Sequence, residues 1–426
     1  MSKNKTIHNE TAGSINSWST GKGFYGKSNP FELVEKYGSP LYVYNESMLR
    51  ARCKEIKSLL SYPNFKVNYS AKANTNLHLL KIIRDEGLLV DAMSPGEVHI
   101  ELKAGFKPND ILFISNNVSA GEMQYAINRD ILVSVDSLSQ LDQYGKLNKG
   151  GKVAIRINPG VGAGHHEKVV TAGVNTKFGI DPGQIDKIHD LLNKHDLKLT
   201  GINQHIGSLF MDAKPYIEAA GFLLSFAEKF AGLEFIDFGG GFGIPYQKDS
   251  GEKALDLKKL GHQLQALIDQ WLEKGNPGIM IKVEPGRFMV AECGMLLGEV
   301  HSVKENFGKK YIGTDIGFNI MGRPMIYNAH HDIEVYKNHG DENMMKEKVT
   351  LVGNICETGD ILAKERKLPA IKEKDIIGML DSGAYGMVMS SNYNCRLRPA
   401  EVLINKNGED ILIRKREDLD DLIRHF

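Results

Sequence analysis

The chain has 426 residues, enough for two ordinary domains. Lys plus Arg and Asp plus Glu each number 53, so the charges cancel, and no basic excess points to a nucleic-acid or anionic-membrane footprint. Hydrophobic residues at 42% and charged residues at 25% exclude a disordered chain or a coiled coil.

Residues 1–27 are polar and hold no apolar run, so no secretory signal is expected. No stretch approaches the ~18 apolar residues of a bilayer span. The segment Gly21-Lys22-Gly23-Phe24-Tyr25-Gly26-Lys27-Ser28 matches the phosphate-loop pattern formally. A nucleotide loop needs an apolar strand before it and a helix running on after it. Residues 14–20 are polar and Asn29-Pro30 follows at once, so a flexible glycine-rich segment is expected instead.

From about residue 43 to 295, short β-branched or aromatic runs alternate with amphipathic stretches of helical period. Strands are expected over 65–69, 88–91, 111–114, 131–135, 153–157, 199–204, 234–238 and 279–283. Helices such as 76–86, 95–104, 183–194, 214–230 and 255–273 lie between them. Strand–helix units repeated about eight times predict an α/β fold, a (β/α)8 TIM barrel, with a doubly wound sheet as the alternative. After 296 the texture changes. Strands over 297–303, 333–336, 349–352, 376–380, 402–404 and 411–414, with no long helix before 419–425, predict a C-terminal mostly-β domain. The expected division is therefore a 43–295 barrel and a β-rich domain from 1–42 and 296–426.

Cys53, Cys293, Cys356 and Cys395 are far apart and lack CxxC spacing, so neither a zinc site nor a disulfide framework is expected. A reduced, cytoplasmic setting follows as the default. His165-His166 and His330-His331 are adjacent pairs whose side chains point apart. They make poor chelates and read as solvated or packed histidines, and no metal is expected. The charged stretch 341–348 reads as a solvated face.

In a barrel, residues at the C-terminal ends of the strands face the active site. Lys72 follows the first strand, Asp91 the second, and Asn116 and Asn117 the third. Asp136 follows the fourth, Arg156 ends the fifth, and His205 and Ser208 follow the sixth. Gly239, Gly240 and Gly241 follow the seventh, and Glu284 and Arg287 the eighth. Any one polar residue there has a bland reading, because loops are wet. A lysine, a histidine, three glycines and a glutamate converging on one face are harder to dismiss. A lysine kept from water has a lowered pKa and forms Schiff bases as a free amine. Consecutive glycines expose backbone N–H groups to a phosphate. A carboxylate at Glu284 holds a heteroaromatic nitrogen protonated, and His205 suits stacking on a flat ring. Together these are the needs of pyridoxal 5'-phosphate.

The motifs carry a resemblance over nearly the whole chain. They include Tyr69-Ser70-Ala71-Lys72-Ala73-Asn74, the histidine-to-serine run 205–208, the glycine run 239–241 and Glu284-Pro285-Gly286-Arg287. Further on come Arg323-Pro324-Met325-Ile326-Tyr327, Cys356-Glu357-Thr358-Gly359-Asp360, Gly383-Ala384-Tyr385-Gly386 and Ser391-Asn392-Tyr393-Asn394. On these the chain resembles the diaminopimelate decarboxylases, in the alanine-racemase-like (fold type III) group of pyridoxal-phosphate enzymes. The resemblance implies a barrel plus a β domain, a homodimer with shared active sites, and decarboxylation of meso-diaminopimelate to L-lysine and carbon dioxide, the last step of lysine biosynthesis. It implies that Lys72 is the Schiff-base lysine and Cys356 the proton donor, reached across the dimer together with Glu357. It implies that His205 stacks on the pyridine ring and Glu284 pairs with its nitrogen. It implies that Ser208, Gly240, Gly241 and the Gly286–Arg287 backbone hold the phosphate with Tyr385 near, that Pro285 belongs to the cofactor site, and that Asp91 and Arg156 give support. Arg287, Arg323, Tyr327, Glu357 and Tyr385 read the substrate. The nearest alternative is a sister enzyme acting on D-ornithine, D-lysine or a carboxylated polyamine, which the Arg323–Tyr327 segment disfavours.

Overall fold

The computed structural model describes residues 18–114, 116–160, 162, 172–173, 176–338 and 345–426. His165-His166 and residues 341–344 of the charged stretch lie outside these. Strand β1 is Leu41–Asn45. The barrel strands are β2 Phe65–Ser70, β3 Leu89–Ala92, β4 Ile111–Ile114, β5 Leu132–Val135, β6 Lys152–Arg156, β7 Lys198–Asn203, β8 Phe235–Asp237 and β9 Met280–Val283. They close in chain order into a parallel barrel, with β9 pairing back onto β2. The doubly wound alternative is thereby set aside.

Helices begin where the sequence supplies caps. Ser94, Ser119 and Ser137 each accept a backbone N–H from the first turn of the helix they open, at Pro95–Ala104, Ala120–Ile127 and Leu138–Leu147. Each such cap contributes about 1 kcal/mol. Pro95 occupies the first turn, where its missing N–H costs nothing.

The barrel interior is apolar in one layer and polar in the next. Leu112, Ile114, Ala154 and Phe235 form a buried cluster with Leu132 and Met280 against it. A Cβ on Gly201 would lie 2.0 Å from the Phe235 ring, so glycine there makes room for the aromatic filling. Two residues further along, Asp91, Asn203, Asp237 and Lys282 replace aliphatic side chains, all buried. Asn203 pairs in register with Arg156 on one side and Asp237 on the other. Residues two apart in a strand share a face, so this polar layer lies on the same face as the apolar one, nearer the strand C-termini.

The remaining strands are β10 Gly294–Asn306, β11 Lys309–Thr314, β12 Ile333–Tyr336, β13 Lys346–Val352, β14 Ile361–Pro369, β15 Ile376–Met379, β16 Ala400–Ile404 and β17 Asp410–Arg414. Among the described residues they form a nine-stranded sheet with β1, in the order β14-β13-β11-β10-β1-β16-β17, while β15 joins β10 to β12. The C-terminal helix expected over 419–425 is not formed. Only a 3-10 turn, Asp420–Leu422, is present, since six exposed positions from Leu419 onward give a helix no face to bury.

The chain divides into two compact units. The barrel unit is Ser47–Cys293 with Gly383–Val388, and the β-rich unit takes the described residues of Met1–Glu46, Gly294–Ser382 and Met389–Phe426. Both edges differ from the expected 43–295. Strand β1 runs on to Asn45 because it pairs with β16 through Asn45 and Ile404. The 383–388 segment returns to the barrel because the Tyr385 N–H donates to the Ala73 carbonyl at 2.9 Å and Asn74 Nδ2 to the Gly383 carbonyl at 2.9 Å.

The phosphate-loop look-alike is a turn. Helix Trp18–Gly21 precedes it, and helix Pro30–Tyr37, capped by Asn29, follows. Its Gly26 packs on Gly408, leaving no space for a Cβ, and the Lys27 N–H donates to the Gly408 carbonyl at 2.8 Å. No helix of the described residues is long and apolar enough to cross a membrane.

Candidate active site

Lys72 stands in the short Ala71–Ala73 turn that ends β2. Beside it the Ser70 hydroxyl donates to Asp91 Oδ2 at 2.8 Å and lies 3.3 Å from the Glu284 carbonyl oxygen. Burial, offset in part by Lys72, pushes the Asp91 carboxyl up to about 7. Lys72 corrects the expectation of a depressed amine. Withdrawal from water does lower its pKa, but Asp91, then Tyr385 and Glu284, outweigh that effect, and the ammonium is held above its ordinary value.

His205 follows β7. The Gly240 N–H donates to its Nδ1 at 3.1 Å, so Nδ1 is the acceptor and Nε2 carries the proton. Burial, then the charges of Lys72 and Arg156, keep this imidazole well below its ordinary pKa, and the ring is neutral. Arg156 Nη2 lies 3.4 Å from the His205 carbonyl oxygen, and its guanidinium sits 4.8 Å from the Phe178 ring centre.

The glycine run is anchored from below. Asp237 Oδ1 accepts the Gly239 N–H at 2.9 Å. The Gly239 carbonyl accepts the Glu284 N–H at 2.9 Å and the Tyr216 hydroxyl at 2.8 Å. Gly239 has φ +76° and Gly241 φ +103°, conformations that favour glycine. A Cβ on Gly240 would lie 2.0 Å from the Glu284 carbonyl oxygen, so the two loops approach too closely for any side chain. The Pro285 carbonyl accepts the Ser70 N–H at 3.2 Å, and Gly286 lies where a Cβ would come within 3.0 Å of the Ser70 Cβ.

Glu284 is 3% exposed, and its Oε1 has no hydrogen-bond partner among the described residues. Burial, then the charges of Asp237 and Asp91, push its carboxyl well above the ordinary range, against Lys72 and Arg156. A buried acceptor left unpaired costs about 1–3 kcal/mol. A protonated ring nitrogen is the kind of donor this oxygen lacks, and the bare backbone of 239–241 stands nearby, so the residues fit a pyridine-ring phosphate ester.

Arg287 Nη2 donates to Ser208 Oγ at 2.9 Å and its Nη1 to the Tyr246 hydroxyl at 2.8 Å. Its guanidinium lies 4.9 Å from the centre of the Tyr385 ring, and Tyr385 itself holds φ +57°. The structure thus gathers Lys72, Asp91, Arg156, His205, Ser208, Gly240, Gly241, Glu284, Pro285, Gly286, Arg287 and Tyr385 within the barrel unit. Asp136 and Asn116 are hydrogen-bonded to each other.

The β-rich unit carries the other expected residues. Arg323 opens the helix Arg323–Tyr327 and is 2% exposed, while Tyr327 closes that helix and is half-buried. Cys356 and Glu357 are exposed on the loop between β13 and β14. Asp360 builds that loop, with Oδ2 accepting the Ile355 N–H and Oδ1 the Phe318 N–H, both at 2.7 Å. The Cys356 N–H donates to Asn394 Oδ1 at 3.1 Å, and the Tyr393 hydroxyl donates to Glu357 Oε1. Tyr393 is stacked on Phe318, with ring centres 5.6 Å apart.

Several of these partners carry no expected role in the sequence reading. Ser70 and Asp237 are ordinary polar residues at strand ends and Tyr246 lies in the loop after β8, and only the fold reveals what they hold. Tyr393 and Asn394 lie inside a motif that is legible in the sequence, although their partners are not.

The family described as "pyridoxal-dependent decarboxylase, pyridoxal binding domain" matches residues 46–291, more than half of the chain. The diaminopimelate decarboxylase of Methanothermobacter thermautotrophicus is 39% identical, over 94% of each chain. That of Aquifex aeolicus is 35% identical, over 92% of each. A crystal structure of the Helicobacter pylori diaminopimelate decarboxylase complexed with L-lysine superposes with a TM-score of 0.85 at 30% identity, covering 93% of this chain and 98% of that one. The chain belongs to the diaminopimelate decarboxylase family of pyridoxal-dependent decarboxylases.

Proposed function

We propose that the protein decarboxylates meso-diaminopimelate at its D-centre, giving L-lysine and carbon dioxide, with pyridoxal phosphate as cofactor. The observation that carries this reading is the buried, partnerless Glu284 oxygen set among Lys72, Arg156 and the bare glycine backbone. Pyridoxal phosphate, when bound, supplies an electron sink for the pair left by the departing carboxylate. Lys72 would hold the cofactor through its side-chain amine. Glu284 would accept a hydrogen bond from the ring N–H and favour the charged ring. His205, kept neutral by burial and by the charges of Lys72 and Arg156, would offer the ring a flat partner without adding a positive charge that competes for those electrons. Gly240, Gly241, Gly286 and the Ser208 hydroxyl bind the phosphate, with Tyr385 beside them.

Substrate recognition follows from charge. Arg287 and Arg323 take the remaining carboxylate, with Tyr327 and Tyr385 adding hydroxyl donors, and Glu357 takes the distal ammonium. Cys356 delivers the proton that replaces the lost carboxyl group. Exposure of Cys356 and Glu357 on a loop of a single chain supports a homodimer in which this loop serves the partner subunit's barrel. Four free cysteines agree with action in the reducing cytoplasm.

Rates on meso-diaminopimelate, D-lysine and D-ornithine, measured side by side, test the specificity. Losing a charge-assisted contact to the distal end costs about 2–4 kcal/mol, so diaminopimelate is expected to lead by about 30-fold or more in kcat/KM. Equal values on the three substrates would overturn the assignment.

A further inference from the structure

The histidine pair His330-His331 stands just before β12 and reads in the sequence as solvated or packed. His331 is 1% exposed. Both ring nitrogens have partners of fixed character. Nδ1 lies 2.7 Å from the Leu380 carbonyl oxygen, an atom that only accepts. Nε2 lies 2.7 Å from Arg323 Nη1, an atom that only donates. The tautomer is therefore forced. The proton sits on Nδ1, and Nε2 turns its lone pair to the guanidinium.

The ring cannot swing away from this arrangement. The Leu380 N–H donates to the Asp332 carbonyl at 3.0 Å, continuing the antiparallel pairing in which Ile333 faces Met379. The register of β12 on β15 thus sets the position of the Leu380 carbonyl beside His331. The His331 carbonyl in turn accepts Arg366 Nη2 at 3.0 Å, and the same nitrogen lies 2.9 Å from His330 Nδ1. His330 Nε2 lies 2.8 Å from Asp332 Oδ1. The two rings thus face different arginines, that of His330 Arg366 and that of His331 Arg323.

Arginine carries about 2 kcal/mol of rotamer entropy, and a guanidinium reads a carboxylate well only when its fork is already aimed. We propose that His331 is a positioning residue for Arg323. Held by the Leu380 carbonyl, it offers the guanidinium a fixed acceptor, and this sets the direction in which Arg323 is presented to the substrate's distal carboxylate. The proposal rests on the reading of Arg323 as a substrate-binding residue.

A double-mutant cycle on the holoenzyme tests it, with meso-diaminopimelate as substrate. His331→Leu is expected to raise KM by about 10- to 100-fold while kcat stays within about threefold, the pattern of lost binding that is equal in ground and transition states. The affinity for pyridoxal phosphate, followed by absorbance titration, is expected to be unchanged. Arg323→Ala is expected to raise KM at least as far. The double variant is expected to match Arg323→Ala alone, because a residue acting only through Arg323 has nothing left to position. Additive effects, or a wild-type KM in His331→Leu beside a raised KM in Arg323→Ala, would overturn the proposal alone. An unchanged KM in Arg323→Ala would overturn the reading of Arg323 and the proposal with it. Should His331→Leu fail to fold, His331→Gln takes its place, since its amide reaches one of the two partners at a time. A KM rise of about three- to tenfold supports the proposal there, and a wild-type KM overturns it.

Discussion

The candidate residues of the barrel and those of the β-rich unit are held in different ways. In the barrel they are mostly buried and their charges shift one another. Asp91 is pushed up to about 7, Glu284 is raised, Lys72 is held as an ammonium, and His205 is kept neutral. In the β-rich unit Cys356 and Glu357 lie in the open, where the Cys356 N–H donates to Asn394, the Tyr393 hydroxyl donates to the Glu357 carboxylate, and the Glu357 carbonyl accepts the Asp360 N–H. Burial tunes protonation, whereas an exposed loop can only aim its groups. On the proposed function, the barrel residues are expected to govern cofactor binding and charge state, and the loop residues the fate of the substrate.

The comparison breaks if variants of the two regions behave alike. Lys72→Ala carries the largest expected effect, a loss of turnover of about 1000-fold or more together with loss of the bound cofactor's visible absorption. Cys356→Ala comes next, with turnover falling about 100- to 10,000-fold while absorption and cofactor affinity stay as in the wild type. Loss of absorption in Cys356→Ala would erase the distinction drawn above. Tyr393→Phe removes only the hydroxyl that holds Glu357. A rise in KM of about three- to tenfold is expected, with cofactor affinity untouched, and steady-state kinetics beside a cofactor titration check both.

A last effect concerns stability rather than turnover and belongs to the barrel alone. Glu101 is fully buried, and neither carboxyl oxygen has a hydrogen-bond partner among the described residues. Burial, then the charges of Asp91 and Glu97, push it up from 4.5 to about 9. Below the lower value it is neutral whether the chain is folded or unfolded, and it contributes nothing to pH dependence. Above that value the unfolded chain releases the proton and the folded one keeps it, so stability falls as pH rises, by at most about 1.4 kcal/mol per unit, until about 9. Glu101→Gln removes this penalty. Its melting temperature is expected to equal that of the wild type near pH 5 and to exceed it near pH 8. A gain that does not change with pH would contradict the assignment.

Much of the barrel is legible in the sequence because each strand announces itself by a short apolar run and ends on a polar residue. The expected 111–114 is found as Ile111–Ile114, and the other seven barrel strands lie within a residue or so of their expected ends. The β-rich unit is harder to read. Strand β14 runs Ile-Leu-Ala-Lys-Glu-Arg-Lys-Leu-Pro, and β11 opens on two lysines. Both have solvent-facing positions filled by charge, and β14 is an edge strand, so neither shows an apolar run. The site divides along similar lines. Lys72, the glycine run and Glu284 carry their chemistry in their residue types. The direction of the Lys72 shift does not show in the sequence, because it depends on Asp91 and Glu284 arriving from other strands. His331 was equally hidden, since its meaning lies in a carbonyl 49 positions away.

The decisive measurement follows L-lysine and carbon dioxide from meso-diaminopimelate, with cofactor-stripped protein and with pyridoxal phosphate restored. Equal amounts of the two products are expected, formed only when pyridoxal phosphate is present. Restored cofactor absorption without any lysine formed would contradict this expectation.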